Sequence, residues 1–397
     1  MDHFKYLLVG GGMTADSAVQ GIREVDRNGS IGLFSMEPDP PYDRPPLSKG
    51  LWTGDVAFDE VWRSTLDYDV TLHLSRRVEA IDPARRRIVD GEGEAFEYEK
   101  LLLATGGTPR RLRNDIPDVI YYRTIQDYHQ LVNSVKRHDD FAVIGGGFIG
   151  SEIAAALTIT GKKVTMIFPE AGIGGLVFPE ELSRFLTAYY AEKGVTMRTG
   201  ELVSAITKVE DEIRVHTNTN VELSFDCLIA GIGIIPNTSL AKDAGLEVGN
   251  GIIVNQYLQS SRPEIFAAGD VANFESPQLG KRVRVEHEDN ANAMGEVAGH
   301  NMAGKMTLYQ YLPSFYSDLF DLGYEAVGEL NANLETVADW EEEFHEGVIY
   351  YLSEKRIRGI LLWNVWEQVD AARNLIAEKG PFTRQNVVGL LPRESTE

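Results

Sequence analysis

The stretch "AVIGGGFIGSE" at residues 142–152 sets a short apolar run before three glycines and a helix of small residues. The same arrangement stands near the start, in "YLLVGGGMTAD" at residues 6–16. A buried strand that turns through glycines into a helix can grip phosphate. The first glycine makes the tight turn, and the second lets the backbone approach a pyrophosphate. The third position lets helix and strand pack closely, with the helix N-terminus facing the anion. These positions are Gly10, Gly12 and Ala15 in the first copy, and Gly145, Gly147 and Gly150 in the second.

One such turn is a weak signal, but here each copy also has its own closing strand. "YEKLLLATGGTPR" (98–110) is an apolar run ending in a glycine loop, and "FDCLIAGIGIIPN" (225–237) repeats it. Gly106 lies 96 residues after Gly10, and Gly231 lies 86 after Gly145. The strand after each turn should then offer an acid to a ribose about 20 residues on. "KKVTMIFPE" ends at Glu170, 20 residues past Gly150, and a carboxylate there accepts from a 2′-hydroxyl and repels a 2′-phosphate, favouring NAD over NADP. In the first copy "SIGLFSMEPD" offers Glu37, 22 residues past Ala15. Further on, "SSRPEIFAAGDVAN" (260–273) runs a strand into Gly269 and Asp270, where an acid can bond a ribityl chain. Because this signal follows the second copy, the first domain must be discontinuous. One turn then serves a resident flavin dinucleotide, FAD, and the other a visiting NADH.

Composition narrows the class. At 397 residues the chain is too long for one ordinary core. A net charge of −22 argues against nucleic acid and against anionic membranes as partners. The sign reverses locally in "ARRR" (84–87), "RRLR" (110–113) and "KRVR" (281–284). No apolar run reaches the roughly 20 residues a membrane span needs. No signal-peptide pattern precedes the first strand, so the expected location is cytoplasmic. Cys227 is the only cysteine, which removes any intramolecular disulfide and reads as a small buried hydrophobe. The eight histidines show no metal-ligand spacing.

From residue 309 the pattern changes. "GVIYYL" and "IRGILLW" flank the turn "SEKR" as a hairpin. "VWEQVDAARNLIAEKGP" (365–381) puts Val365, Val369, Ala372 and Ile376 on one helical face and stops at Gly380-Pro381. The acidic run 339–346 reads as a solvated loop. The expected fold is α/β, with two Rossmann-like dinucleotide-binding domains in the glutathione-reductase-like manner. An FAD domain (1–112 and 238–308) holds an inserted NAD domain (113–237), and an α+β domain (309–397) follows, suited to covering the flavin and forming a homodimer.

Taken together, "PPYDRPPLSKGLW" (40–52), "LLLATGGTPR", "IGGGFIGSE", "IFAAGDV", "VEHEDNA" (285–291), "DLGYEAVGEL" (321–330) and "GILLWN" (359–364) resemble the two-dinucleotide-fold flavoprotein reductases. Within these the chain is similar to the branch holding ferredoxin reductases and apoptosis-inducing factors. The resemblance implies that Arg44 and Lys49 reach the flavin, with Lys49 near its N5 edge and paired with Glu152. It implies adenine-side contacts from Val78 and Arg123, loop contacts from Ala104, Thr105 and Gly106, and a ribityl contact from Asp270. Glu286 and His287 would lie between flavin and nicotinamide, and Tyr316 beside the isoalloxazine. Phe148, Ile149, Gly233, Glu325 and Asn364 would complete the NAD pocket. The implied activity is NADH-dependent reduction of a small carrier such as a ferredoxin or rubredoxin. The alternative is an NADH-sensing flavoprotein whose dimerisation changes on reduction. Disulfide-reductase chemistry is excluded, since no cysteine pair is available.

Overall fold

The computed structural model describes residues 2–113 and 115–391. The chain divides into two compact units, one formed by Met1–Asp43, Asp59–Thr108 and Ile235–Pro313, the other by Arg44–Phe58, Pro109–Ile234 and Ser314–Glu397. Neither unit is a continuous segment.

In the first unit the opening strand Asp2–Val9 lies between Ile31–Phe34 and Ala95–Leu103, parallel to both. Val70–His73 extends the sheet beside Ile31–Phe34. The long strand Ala95–Leu103 does two jobs. Its first half pairs antiparallel with Arg87–Asp90, and its second half runs parallel to Ile265–Ala267. The second half of Asp2–Val9, Tyr6 to Val9, and all of Ile31–Phe34 are buried and free of charged residues because both faces of a parallel sheet are covered. Helix Met13–Val25 packs on helix Glu288–Met302 at close range. A Cβ on Gly295 would stand 2.4 Å from the Thr14 carbonyl oxygen, and one on Gly299 would stand 2.2 Å from that of Ala18.

The second unit repeats the plan. Its parallel sheet runs Thr196–Thr199, Lys163–Phe168, Asp140–Ile144, Cys227–Ala230, Val119–Tyr121. The echo seen in the sequence is structural: Cys227–Ala230 sits beside Asp140–Ile144 as Ala95–Leu103 sits beside Asp2–Val9. Cys227 is buried, and burial pushes its thiol up to about 11. An antiparallel five-stranded sheet closes the chain in the order Ser314–Leu319, Leu322–Gly328, Arg356–Trp363, Glu346–Ser353, Glu335–Glu342. The fold is thus the expected α/β architecture with two Rossmann-like domains and a C-terminal α+β domain.

Two expectations need correction. The C-terminal helix spans only Val369–Ala377. Val365 is buried but lies outside it, because Asn364 and Glu367 adopt left-handed backbone (φ 50° and 62°) that a right-handed helix cannot continue. The acidic run is a β-hairpin and not a solvated loop. Glu335–Glu342 pairs with Glu346–Ser353, Asp339 is buried and accepts from the Gly389 amide at 2.7 Å, and Trp340 packs on Phe344. The charges on the outward positions hid the strand's alternation. No helix among the described residues is long and apolar enough to cross a membrane.

Candidate active site

Both glycine turns have the geometry their sequence demands. Gly10 and Gly145 take φ of +120° and +117°, and a Cβ on either would collide with the carbonyl of Ala104 (2.0 Å) or Gly231 (2.4 Å). Gly12 and Gly147 cap helices Met13–Val25 and Phe148–Ile159, and neither helix has a side-chain cap. A Cβ on Gly12 or Gly147 would meet nothing within 4 Å. The backbone there is open, and uncapped N–H groups face outward with the positive end of the helix dipole, as an anion requires. Ala15 is fully buried, and a Cβ on Gly150 would lie 2.1 Å from the Gly145 oxygen. The chain therefore presents two turns with the geometry of a pyrophosphate cradle, one in each unit.

Around the first cradle, Ala104 donates its amide to Val9. Asn237 brackets the adjoining loop, its side chain donating to the Thr105 carbonyl at 2.9 Å and its amide to that of Gly106 at 3.0 Å. Glu37 accepts from the Tyr42 hydroxyl at 2.6 Å, while Met36 beside it is 67% exposed. Val78 is buried at the start of Val78–Asp82. Gly269 and Asp270 follow Ile265–Ala267, and Arg284 donates to the Asp270 carbonyl while pairing with Glu286 at 2.6 Å. His287 is the residue before helix Glu288–Met302.

The second unit holds Arg44, Lys49, Arg123 and Tyr316 as well as the second cradle. Arg44 donates to the Arg123 carbonyl at 2.8 Å. Here the sequence-predicted pair is formed, with Lys49 Nζ 3.4 Å from Glu152 Oε1. Lys49 also donates to the Tyr316 carbonyl at 3.1 Å and lies 3.6 Å from the centre of the Tyr316 ring. Phe148 packs against Phe315 at 5.4 Å, Ile149 is 37% exposed, and Glu170 follows strand Lys163–Phe168. Gly233 accepts from the Arg110 amide at 2.9 Å.

Asn364 is occupied within its own sheet. Its side chain accepts from the Gly323 amide at 2.6 Å and donates to the His345 carbonyl at 2.8 Å. Glu325 differs, for its Oε2 is buried with no hydrogen-bond partner among the described residues. An orphaned buried acceptor of this kind fits an amide donor such as a carboxamide. Burial pushes its carboxyl pKa up. The folded state then binds the proton more tightly than the unfolded, so this group costs stability as pH rises above the ordinary carboxylate range. Glu325→Gln is expected to raise Tm at pH 8 and to leave it unchanged at pH 4, as read by thermal melts of the protein without nucleotide.

Sequence reasoning missed Ser48 and Ser317, whose hydroxyls each donate to Glu152 at 2.6 Å. Ser48 stood inside a recognised motif, but nothing in the sequence joins either serine to residue 152.

Two open glycine turns, each leading from a strand in parallel pairing into an uncapped helix, suit a protein that handles two dinucleotides. The chain belongs to the pyridine nucleotide-disulphide oxidoreductase family, which residues 4–295 match, and residues 338–378 match the C-terminal domain of mitochondrion-associated apoptosis-inducing factor. It is 34% identical to apoptosis-inducing factor 1, mitochondrial, of Dictyostelium discoideum over 96% of this chain and 79% of that protein. It is also 34% identical to the ferredoxin reductase subunit of a Sphingobium 5,5′-dehydrodivanillate O-demethylase, over 90% of this chain and 89% of that one. The solved covalent putidaredoxin reductase–putidaredoxin complex superposes with a TM-score of 0.89 at 29% identity, covering 96% of this chain and 94% of that chain. The protein is an NADH-dependent flavoprotein oxidoreductase of the ferredoxin-reductase and apoptosis-inducing-factor-like branch, with FAD and NAD(H) as cofactors.

Proposed function

We propose that the chain moves electrons from NADH to a small carrier protein, a ferredoxin or rubredoxin, in a cytoplasmic setting. The observation that carries this reading is the pair of open, uncapped glycine turns, Gly10–Gly12 and Gly145–Gly147, in one chain. In this reading residues 1–112 and 238–308 hold FAD, 113–237 hold NADH, and 309–397 cover the flavin. Gly10, Gly12 and Ala15 grip the FAD pyrophosphate, with Glu37 at its ribose and Asp270 at its ribityl chain. Val78, Ala104, Thr105, Gly106, Gly269, Glu286, His287, Arg44, Arg123 and Tyr316 complete the flavin's surroundings. Gly145, Gly147 and Gly150 grip the NADH pyrophosphate, Glu170 takes the ribose, and Phe148, Ile149, Gly233, Glu325 and Asn364 enclose the nicotinamide half.

The chemistry supplied by bound FAD is acceptance of a hydride at N5 and release of electrons one at a time. No residue need act as a strong acid or base. The side chains position the two dinucleotides, and Lys49 sets the local charge. With a net charge of −22 the molecule repels an acidic carrier, so docking calls on local arginines such as the exposed Arg110 and Arg111. Replacing both with Ala is expected to slow carrier reduction several-fold at low salt, with the difference fading as salt rises; salt-independent turnover would count against it.

An anaerobic titration tests the core of the reading. The yellow flavin should bleach with NADH, far less readily with NADPH, and recover at once in air. The match of residues 338–378 to the apoptosis-inducing-factor C-terminal domain supports a second reading, an NADH sensor with poor turnover that dimerises on reduction. In that case a broad long-wavelength band persists in air, and sedimentation shows a larger mass with NADH than without.

A further inference from the structure

Glu152 is 5% exposed, too deep for a carboxylate to rely on water. Its partners are unevenly shared. Ser48 Oγ donates to Oε2 and Ser317 Oγ donates to Oε1, both at 2.6 Å, the range of charge-assisted O–H···O⁻ bonds. Lys49 Nζ stands further off, at 3.4 Å from Oε1. The two hydroxyls come from separate parts of the second unit. Ser48 ends the turn Pro45–Ser48, which two prolines stiffen and which is tied down by the Tyr122 hydroxyl and the Trp52 indole donating to the Leu47 carbonyl. Ser317 lies in strand Ser314–Leu319, paired opposite Tyr324. Each hydroxyl holds one oxygen, so the carboxylate can neither turn nor slide toward the lysine.

We propose that Ser48 and Ser317 are positioning residues that satisfy and fix the Glu152 carboxylate oxygens and so leave the Lys49 ammonium available to the flavin. This rests on the placement of Lys49 at the flavin in the reading above. A carboxylate satisfied by two hydroxyls draws less on a third donor. The ammonium therefore keeps its contacts with the Tyr316 carbonyl and ring and retains donor capacity and field for a neighbouring anion. Without one hydroxyl, the oxygen left bare pulls Lys49 inward and offsets its charge.

The test is Ser317→Ala, with Ser48→Ala as an independent second variant acting on the opposite oxygen. Each purified holoprotein is examined by spectroelectrochemistry for the flavin potential and by anaerobic stopped flow for reduction by NADH. Ser183→Ala serves as control, because Ser183 is also buried but its hydroxyl donates to the Ile173 carbonyl and not to Glu152. The expected result is a more negative flavin potential and a roughly three- to tenfold slower reduction in both Glu152-facing variants, about the effect of one hydrogen bond. The control should lower Tm without moving the potential. An unchanged potential in Ser317→Ala and Ser48→Ala would overturn the proposal, whether or not Tm falls. Loss of flavin from both would assign the serines to folding and overturn it equally. Failure of the underlying reading looks different: wild-type protein would bind no flavin, or NADH would not reduce it.

Discussion

Gly145→Ala is expected to give a protein that purifies yellow and that NADH reduces only very slowly. A Cβ at this position would stand 2.4 Å from the carbonyl oxygen of Gly231 and 3.0 Å from its carbon. The contact is with backbone and cannot be relieved by a rotamer change. Gly231 cannot retreat, because its amide donates to the Ile144 carbonyl at 2.8 Å, beside the pairing of Cys227–Ala230 with Asp140–Ile144. The φ of +117° adds strain of about 1–3 kcal/mol for any other residue. The turn must therefore deform, and Gly147 at the helix start moves with it. A displacement near 1 Å at a positioning group can cost about a hundredfold in rate, so reduction by NADH should fall by roughly that factor or more. FAD content should hold, since the Gly10 turn belongs to the other unit. Wild-type rates of reduction by NADH would show that the nucleotide enters elsewhere. Gly12→Ala provides the converse, because its Cβ meets no protein atom and the chain should fold normally yet purify without flavin.

The second large effect separates stability from chemistry at the buried ion pair. Glu152→Ala leaves Lys49, whose side chain is 11% exposed, without its carboxylate, and leaves two serine hydroxyls without their acceptor. Breaking a buried pair from one side costs about 3–5 kcal/mol. Lys49→Met preserves the apolar stem and leaves Glu152 with both hydroxyl donors, so its cost should be nearer about 1 kcal/mol. The order reverses in the chemistry. Lys49→Met removes the positive charge itself and should slow flavin reduction about ten- to a hundredfold, whereas Glu152→Ala frees that charge and should slow it less. Thermal melts and stopped-flow reduction on the two variants read both orders. A common order in the two measurements would mean the pair acts only as a structural clasp.

Much of this was written in local sequence. The glycine turns, their closing strands and the Gly269-Asp270 step are each a few residues long, and each carries its sequence signal within that window. Gly10 and Gly145 are glycine because a carbonyl from the closing strand fills the place of a side chain, and the paired motifs betray that closeness. The Lys49–Glu152 pair became visible only through resemblance, since 103 residues separate its members. Ser48 and Ser317 remained hidden for the same reason, as serines carry no periodic signal and their bond to Glu152 is made by tertiary packing. At the C-terminus, charged outward positions concealed the strand Glu335–Glu342. The helix start shifted because two left-handed residues intervene, which composition does not announce.

The close packing of Met13–Val25 on Glu288–Met302 has a consequence for how the protein is made. At a synthesis rate of about 5–20 residues per second, the ribosome needs on the order of 15–55 s to pass from the first helix to the second. Throughout that interval the small-residue face around Thr14 and Ala18 has emerged, while Gly295 and Gly299, which are to cover it, have not. Strand Ala95–Leu103 likewise waits for Ile265–Ala267. The opening sheet is thus a nascent chain in need of shelter, and expression at lower temperature or with added chaperone should raise the yield of flavin-loaded protein more than it would for a chain of equal length built from contiguous domains.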